Sequence, residues 1–151
     1  MNQRHLVTAA ACINAPPRVV YAIIADYRDG HPHILPDTFR GLTVEHGGIG
    51  HGTVIRFQMR IFGRTQSFRA AITEPEPGRV LVETDLNANG AITTFTVNPG
   101  PAEGQCEVSI RTELPVRSGL LGALQRFLTT RSLRPLYERQ LGLLAAHAER
   151  P

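Results

Sequence analysis

Residues Ser118 to His147 read SGLLGALQRFLTTRSLRPLYERQLGLLAAH, and this stretch decides the fold. Leu120, Leu124, Phe127, Leu128 and Arg131 recur at steps of three and four, and Leu136, Tyr137, Leu141 and Leu144 continue the stripe. That is the pattern of one long helix with an apolar side. Ser118 is placed to cap it, its hydroxyl accepting a free amide of the first turn. His147 and Arg150 sit where the negative end of the helix dipole favours positive charge. Pro135 lacks an amide and its ring crowds the preceding turn, so a kink or a split is expected near Arg131 to Arg134. The chain before this helix reads mostly as strands that need something long and apolar to close around. The helix is therefore expected to plug a curved sheet.

Working outward, His5 to Ile13 is a short apolar run compatible with a strand, and Asn14-Ala15-Pro16-Pro17 ends it. Asn14 is a candidate cap and the prolines suit a first helical turn, after which Val20, Ile23, Ile24 and Tyr27 mark one face of a short helix reaching about Asp26. The prolines of His31-Pro32-His33-Ile34-Leu35-Pro36 allow at most one further helical turn. Strand character resumes from Phe39 to His46. The glycines of Gly47-Gly48-Ile49-Gly50-His51-Gly52 lead into another strand rather than a helix, which fits a hairpin turn and not a phosphate loop.

Thr53 to Ile61 shows the clearest alternation: Ile55, Phe57, Met59 and Ile61 on one face, Arg56, Gln58 and Arg60 on the other. In Thr65 to Glu74, Phe68, Ala70 and Ile72 share a face. Arg79 to Leu86, Ala91 to Val97 and Gln105 to Leu114 complete the strands. In the last of these, Cys106, Val108, Ile110, Thr112 and Leu114 point one way. The connections, including Asn87 to Gly90 and Pro99 to Gly104, are short enough for antiparallel neighbours. A sheet with one apolar face and a long amphipathic helix has few other ways to bury both.

Length and composition bound the rest. At 151 residues the chain is expected to be one domain, 1–151, burying roughly two thirds of its unfolded surface. Hydrophobic residues at 42% and charged residues at 19% belong to an ordinary globular protein. The net charge of +3 comes with 16 basic residues that are all arginine and lie scattered from Arg4 to Arg150, which argues against a nucleic-acid partner. Without lysine the chain can form no Schiff base, pyridoxal anchor or P-loop. Cys12 and Cys106 have no CxxC or metal spacing. The N-terminus lacks the apolar core of a signal peptide, and no run approaches the ~20 residues of a membrane span, so the expected location is the cytoplasm.

Candidate chemistry is sparse. Glu83 and Asp85 share one face of a strand and could form a carboxylate pair, but Val80, Val82, Thr84 and Leu86 make the better inward face, so both acids are expected to face solvent. His31 and His33 with Asp29 or Asp37 lack a third histidine at matching spacing, and no metal site is expected. Ser67, Ser109, Ser118 and Ser132 lack a Gly-x-Ser-x-Gly elbow, which argues against a hydrolase nucleophile. Tyr27 and His31 lie where the first helix ends. They are expected near a pocket mouth, orienting a polar ligand group, and a histidine there can move a proton.

Ile13-Asn14-Ala15-Pro16-Pro17-Arg18-Val19-Val20-Tyr21, with Asp26-Tyr27 following, resembles the opening signature of the START-like superfamily, which includes Bet v 1 relatives and polyketide cyclases. The glycine turn ending Gly50-His51-Gly52-Thr53 and the C-terminal helix fall where that superfamily has its own. Such proteins often carry tryptophan in the first helix, where this chain has Tyr21. The resemblance implies an α+β helix-grip fold: a seven-stranded antiparallel curved sheet around the long C-terminal helix, two short helices between the first two strands, and a cavity between sheet and helix. It also implies that the first and last strands are antiparallel neighbours, bringing Cys12 near Cys106; a reducing cytoplasm is expected to keep both as thiols.

The expected cavity walls are Phe57, Met59, Phe68, Phe95, Val108 and Ile110, and the lid Leu120, Leu124, Phe127 and Leu128, with Phe127 facing the cavity or its floor. Each of these positions also suits plain core packing. Two functions follow: binding of a small hydrophobic molecule (lipid, isoprenoid, aromatic or polyketide-like), or a polyketide cyclase or dehydratase using the same pocket. A protein-interaction domain is a third reading. The first is preferred because no acid-base pair falls inside the expected apolar lining. No cofactor is expected, and the chain is read as a monomer or homodimer.

Overall fold

The structure is a computed structural model that describes residues 3–61, 63–87 and 90–150; the expected turn from Asn87 to Gly90 lies partly outside them. Seven strands form one antiparallel sheet: β1 (Gln3–Ile13), β2 (Phe39–His46), β3 (Val54–Ile61), β4 (Arg64–Glu76), β5 (Val80–Asp85), β6 (Ile92–Pro99) and β7 (Cys106–Val116). Their spatial order is β1-β7-β6-β5-β4-β3-β2. Strands β2 to β7 follow one another as a meander. Only β1 is brought in from afar, and it pairs with β7 along its full length from Gln3↔Val116 to Ile13↔Cys106. The segment between β1 and β2 carries helix α1 (Pro17–Ala25) and a 3-10 turn (His31–Ile34) across to the other edge. Helix α2 (Gly119–Ala148) lies against the sheet, giving the α+β helix-grip arrangement that the resemblance implies.

The strand phases expected for β3 and β7 hold. Ile55 and Met59 are buried and Phe57 half-buried, against exposed Arg56, Gln58 and Arg60. Cys106, Val108, Ile110 and Thr112 are buried with Arg111 exposed between them. Register shifts in the β2–β3 and β4–β5 pairs bend the sheet, because an extra residue on one strand locally increases twist. Tyr27 donates its backbone N–H to the Gly48 carbonyl and Gly50 donates to Ala25, so the glycine loop serves as a brace between the β2–β3 turn and the end of α1. A Cβ on Gly48, at φ 149°, would run into the Arg28 side chain.

Three local expectations need correcting. Pro135 does not split α2, which runs as one helix from Gly119 to Ala148. Ser118 is the residue before that helix but makes no side-chain capping bond; the Gln125 side chain instead accepts from the Arg117 amide. Asn14 does not cap α1, which begins after Pro16; its amide oxygen accepts from Gln105 and ties the end of β1 to the start of β7.

The solid part of the core lies between α1, the middle of the sheet and the second half of α2. There Ile13, Val20, Ile24, Leu81, Val97, Val108, Leu141 and Leu144 are essentially without solvent contact. Each fully buried aliphatic side chain contributes roughly 1.5–3 kcal/mol. The 3-10 turn is held to this end by a stack of His33 on His147, with ring centroids 4.6 Å apart. Cys12 and Cys106 are both free thiols, and Cys12 sits opposite Glu107, one register step from Ile13↔Cys106. That step places Cys12 on the exposed face and Cys106 on the buried one. Burial, with a smaller effect from Cys12, pushes the Cys106 thiol up to about 11. Among the described residues no helix is long and apolar enough to cross a membrane.

Candidate functional site

Toward the β3–β4 hairpin the core is hollow. A cavity of about 600 Å³ lies between the sheet and α2, within the range of small-molecule sites. β3 and β4 supply Ile55, Phe57, Met59, Phe68 and Ala70, and β6 supplies Thr93 and Phe95. Phe39 and Leu42 of β2 and the end of β7, Leu114 to Val116, extend the wall. Phe57 stacks on Phe68 at 5.4 Å and meets Phe39 at 5.7 Å, so one end of the cavity is an aromatic cluster. The lining residues that keep most solvent exposure are Arg60, Gln66, Gln125 and Ser132, which puts the mouth between the β3–β4 hairpin and the first half of α2.

From the helix, the residues that reach the cavity are Gln125, Thr129, Ser132, Leu133, Leu136, Tyr137 and Gln140. The expected lid lies elsewhere. Leu120, Leu124, Phe127 and Leu128 are 91%, 55%, 59% and 38% exposed, and none of them lines the cavity. Val108 and Ile110 are buried in the solid core rather than on the cavity wall. Phe57, Met59, Phe68, Phe95 and His31 do line it.

Tyr27 and His31 are not at a mouth. Both are buried, 1% and 2% exposed, and their rings stack at 4.4 Å. His31 lines the cavity, also meeting Phe95 edge-on, with Tyr27 stacked on its ring. The Nδ1 of His31 lies 2.7 Å from the Ile24 carbonyl, which can only accept, so Nδ1 carries the proton and Nε2 remains an acceptor. Burial lowers the His31 pKa to about 4, against a smaller opposing effect of that hydrogen bond, and the ring is neutral at physiological pH.

The carboxylates Glu83 and Asp85, expected on the solvent side, belong to the cavity wall. Alternation along β5 explains this: Leu81 is fully buried, so residues two and four further on share its inward face, while Val80, Val82 and Thr84 take the other and Leu86 is exposed. Glu83 stands opposite Ile72 on β4 and Thr93 on β6. Burial pushes its carboxyl up to about 7, opposed in part by the nearby Tyr27 hydroxyl. Burial and the Glu83 charge in turn raise the Tyr27 phenol well above its ordinary range. Yet Tyr27 Oη has no hydrogen bond of good geometry among the described residues, and neither has Asp85 Oδ1. The other Asp85 oxygen accepts from the Gly90 amide at 3.1 Å.

Beside these acids runs a hydroxyl chain. Thr93 Oγ1 is 2.8 Å from Thr112 Oγ1, which is 2.6 Å from Tyr137 Oη, connecting β6, β7 and α2. Burial is the main cause that raises Tyr137 to about 12. The site thus combines an aromatic end with a polar wall made of a carboxyl that titrates near neutrality, a neutral imidazole and hydroxyls. Among the described residues no group of histidine, cysteine or acidic side chains is arranged to hold a metal.

Comparisons with known proteins agree with this architecture. The family model described as "Polyketide cyclase / dehydrase and lipid transport" matches residues 4–149. The solution structure of the KanY protein is 26% identical, covers 98% of this chain and 99% of its own, and superposes with a TM-score of 0.83. The Zhui aromatase/cyclase from Streptomyces sp. R1128 is 15% identical, covering 98% and 95% with a TM-score of 0.79. A START superfamily protein from Mycobacterium smegmatis is 16% identical, covering 96% and 97% with a TM-score of 0.74. At 15% and 16% identity the last two speak for the fold alone. No curated protein matches the chain.

Proposed function

The chain belongs to the polyketide cyclase/dehydrase and lipid-transport family, and from that premise we propose that it binds one small, largely apolar molecule in the cavity between sheet and α2. The observation that carries this reading is the cavity itself, about 600 Å³ of space walled by Phe57, Met59, Phe68 and Phe95 in an otherwise close-packed domain. Retaining such a void in a packed core costs stability unless something fills it. The aromatic cluster suits a flat or branched apolar body, and the polar wall suits a few polar groups at its other end.

The test is titration with a neutral fluorescent dye, N-phenylnaphthylamine, against the unmodified protein and Ala70→Phe. Ala70 is 5% exposed and lies on the cavity wall, so a phenyl group there occupies ligand space. The expected result is saturable binding that Ala70→Phe weakens at least about tenfold, the factor that separates a filled site from an open one by ~1.4 kcal/mol. Absence of dye binding to the unmodified protein, or equal binding by a folded Ala70→Phe, would rule the reading out.

Glu83 favours a second reading, a proton-transfer enzyme of the cyclase or dehydratase type. A half-buried carboxyl on the cavity wall that titrates near 7 is suited to take a proton from a carbon next to a carbonyl and return it elsewhere on the same substrate. Exchange of the acidic C–H protons of a β-diketone into heavy water, followed by NMR, tests it. Acceleration by the protein that is lost in Glu83→Gln supports catalysis; equal rates with and without protein oppose it.

A further inference from the structure

Resting on the binding reading, we propose that the cavity's ligand carries a basic nitrogen at one end of its apolar body, received as an ammonium group by Glu83 with Asp85 beside it. The first observation is placement. Both carboxylates lie on the inward face of β5, two residues apart, on the wall of the cavity. The second is the missing counter-charge. Among the described residues the ion pairs join Arg4 and Arg111 to Glu113, Arg56 and Arg69 to Glu45, and Arg79 to Glu76; neither Glu83 nor Asp85 takes part. Arg60, the arginine among the lining residues, is exposed at the mouth. His31 is held neutral with its proton directed to Ile24.

A third observation concerns unmet hydrogen bonds. Tyr27 is 1% exposed and its Oη, beside Glu83, is buried without a partner of good geometry among the described residues, as is Asp85 Oδ1. Buried polar atoms normally have partners, and a buried carboxylate is costly unless a cation meets it. An ammonium offers three N–H donors and one positive charge, which answers Glu83 and Asp85 Oδ1 together. Pairing with it fixes Glu83 in the ionised state, which makes the carboxylate a stronger acceptor for the neighbouring Tyr27 hydroxyl. An anionic ligand would instead meet two like charges on this wall.

The groups around Glu83 are Tyr27, His31, Asp85 and Tyr137, with Arg60 at the mouth. Tyr27 and Tyr137 stay protonated and His31 neutral between pH 6 and 8, so Glu83 is the group that changes charge in that window. Amine binding therefore tightens as pH rises from 6 to 8. Binding to a protonated Glu83 acting as donor to a carbonyl would weaken over the same range.

Naphthylethylamine, naphthylethanol and naphthylacetate have the same aromatic body with positive, neutral and negative ends, and each is titrated by its own fluorescence. At pH 8 the amine is expected to bind about 10- to 100-fold tighter than the alcohol, the range for a charge-assisted pair, and the acid no tighter than the alcohol. Glu83→Gln should erase the amine's advantage and its pH dependence while the alcohol still binds; Asp85→Asn should reduce the advantage by a smaller factor. Equal affinity for amine and alcohol, tighter binding of the acid, or an amine preference that survives Glu83→Gln would overturn the inference and leave cavity binding intact. Failure of all three to bind would overturn both.

Discussion

In the second half of α2, Leu136, Tyr137, Leu141 and Leu144 are buried against sheet and α1; in the first half, Leu120, Leu124, Phe127 and Leu128 face solvent, although both sets belong to one leucine-rich helix. The difference shows what a hydrophobic stripe does and does not specify. Run backward at helical steps from Leu144, Leu141 and Tyr137, the buried face passes through Leu133, Thr129, Arg126 and Gly122, not through Leu128, Leu124 and Leu120. At about 100° per residue the two sets point roughly 145° apart around the helix. A break at Pro135 would have let each half present its own leucines to the sheet. Because α2 continues through Pro135, only one phase can point inward, and the half seated on the solid core sets it.

The largest test of this contrast lies in the seated half. Leu141→Ala should cost about 2–5 kcal/mol in denaturant unfolding, because the side chain is buried in the hydrophobic core. A loss below about 1 kcal/mol would mean that this half is no better packed than the other.

The next effect belongs to the hollow end and has the opposite sign. Glu83 titrates near 7 in the folded protein and near 4.3 when unfolded, so its ionisation costs nothing below about pH 4 and accumulates as pH rises to 7. Glu83→Gln should therefore stabilise the unliganded protein at pH 8 by up to about 3 kcal/mol and change little at pH 4. His31 acts on the acid side: its folded value of about 4 lies below the ordinary 6.5, so stability is lost as pH falls through that window. In the unmodified protein the two slopes oppose each other between about pH 4.5 and 6.5. In Glu83→Gln only the His31 slope remains, so urea midpoints should fall on acidification there. Midpoints that track those of the unmodified protein from pH 4 to 8 would place Glu83 in water.

Where the two halves meet, Thr112 joins Tyr137 to the sheet. Thr112→Val leaves the Tyr137 hydroxyl without that partner, for an expected loss of about 1–3 kcal/mol by thermal or urea unfolding. Tyr137→Phe with Thr112→Val should recover part of it, since both polar groups are then gone; an additive double variant would break the idea of a coupled pair. The smallest effect is expected for Phe127→Ala. At 59% exposure Phe127 should cost within about 0.5 kcal/mol, as surface substitutions do. A loss near 3 kcal/mol would mean that its ring is covered in solution.

By itself the sequence determined the elements and the faces of β3 and β7: the alternation of Ile55, Phe57 and Met59, the turn chemistry of the glycine run and the length of α2 all rest on local physics, and the sheet assembled accordingly. Phe57, Phe68 and Phe95 were legible as cavity wall for the same reason, being apolar residues on an inward strand face. Glu83 was not. On β5 the rule that apolar residues point inward selects Val80, Val82 and Thr84, and it fails because the inward face there borders open space, where a carboxyl can keep its surface without displacing packed atoms. Tertiary structure alone decided which end of the core is solid and which hollow. That choice depends on how α2 and the bent sheet are set against each other, a property of no single stretch of chain.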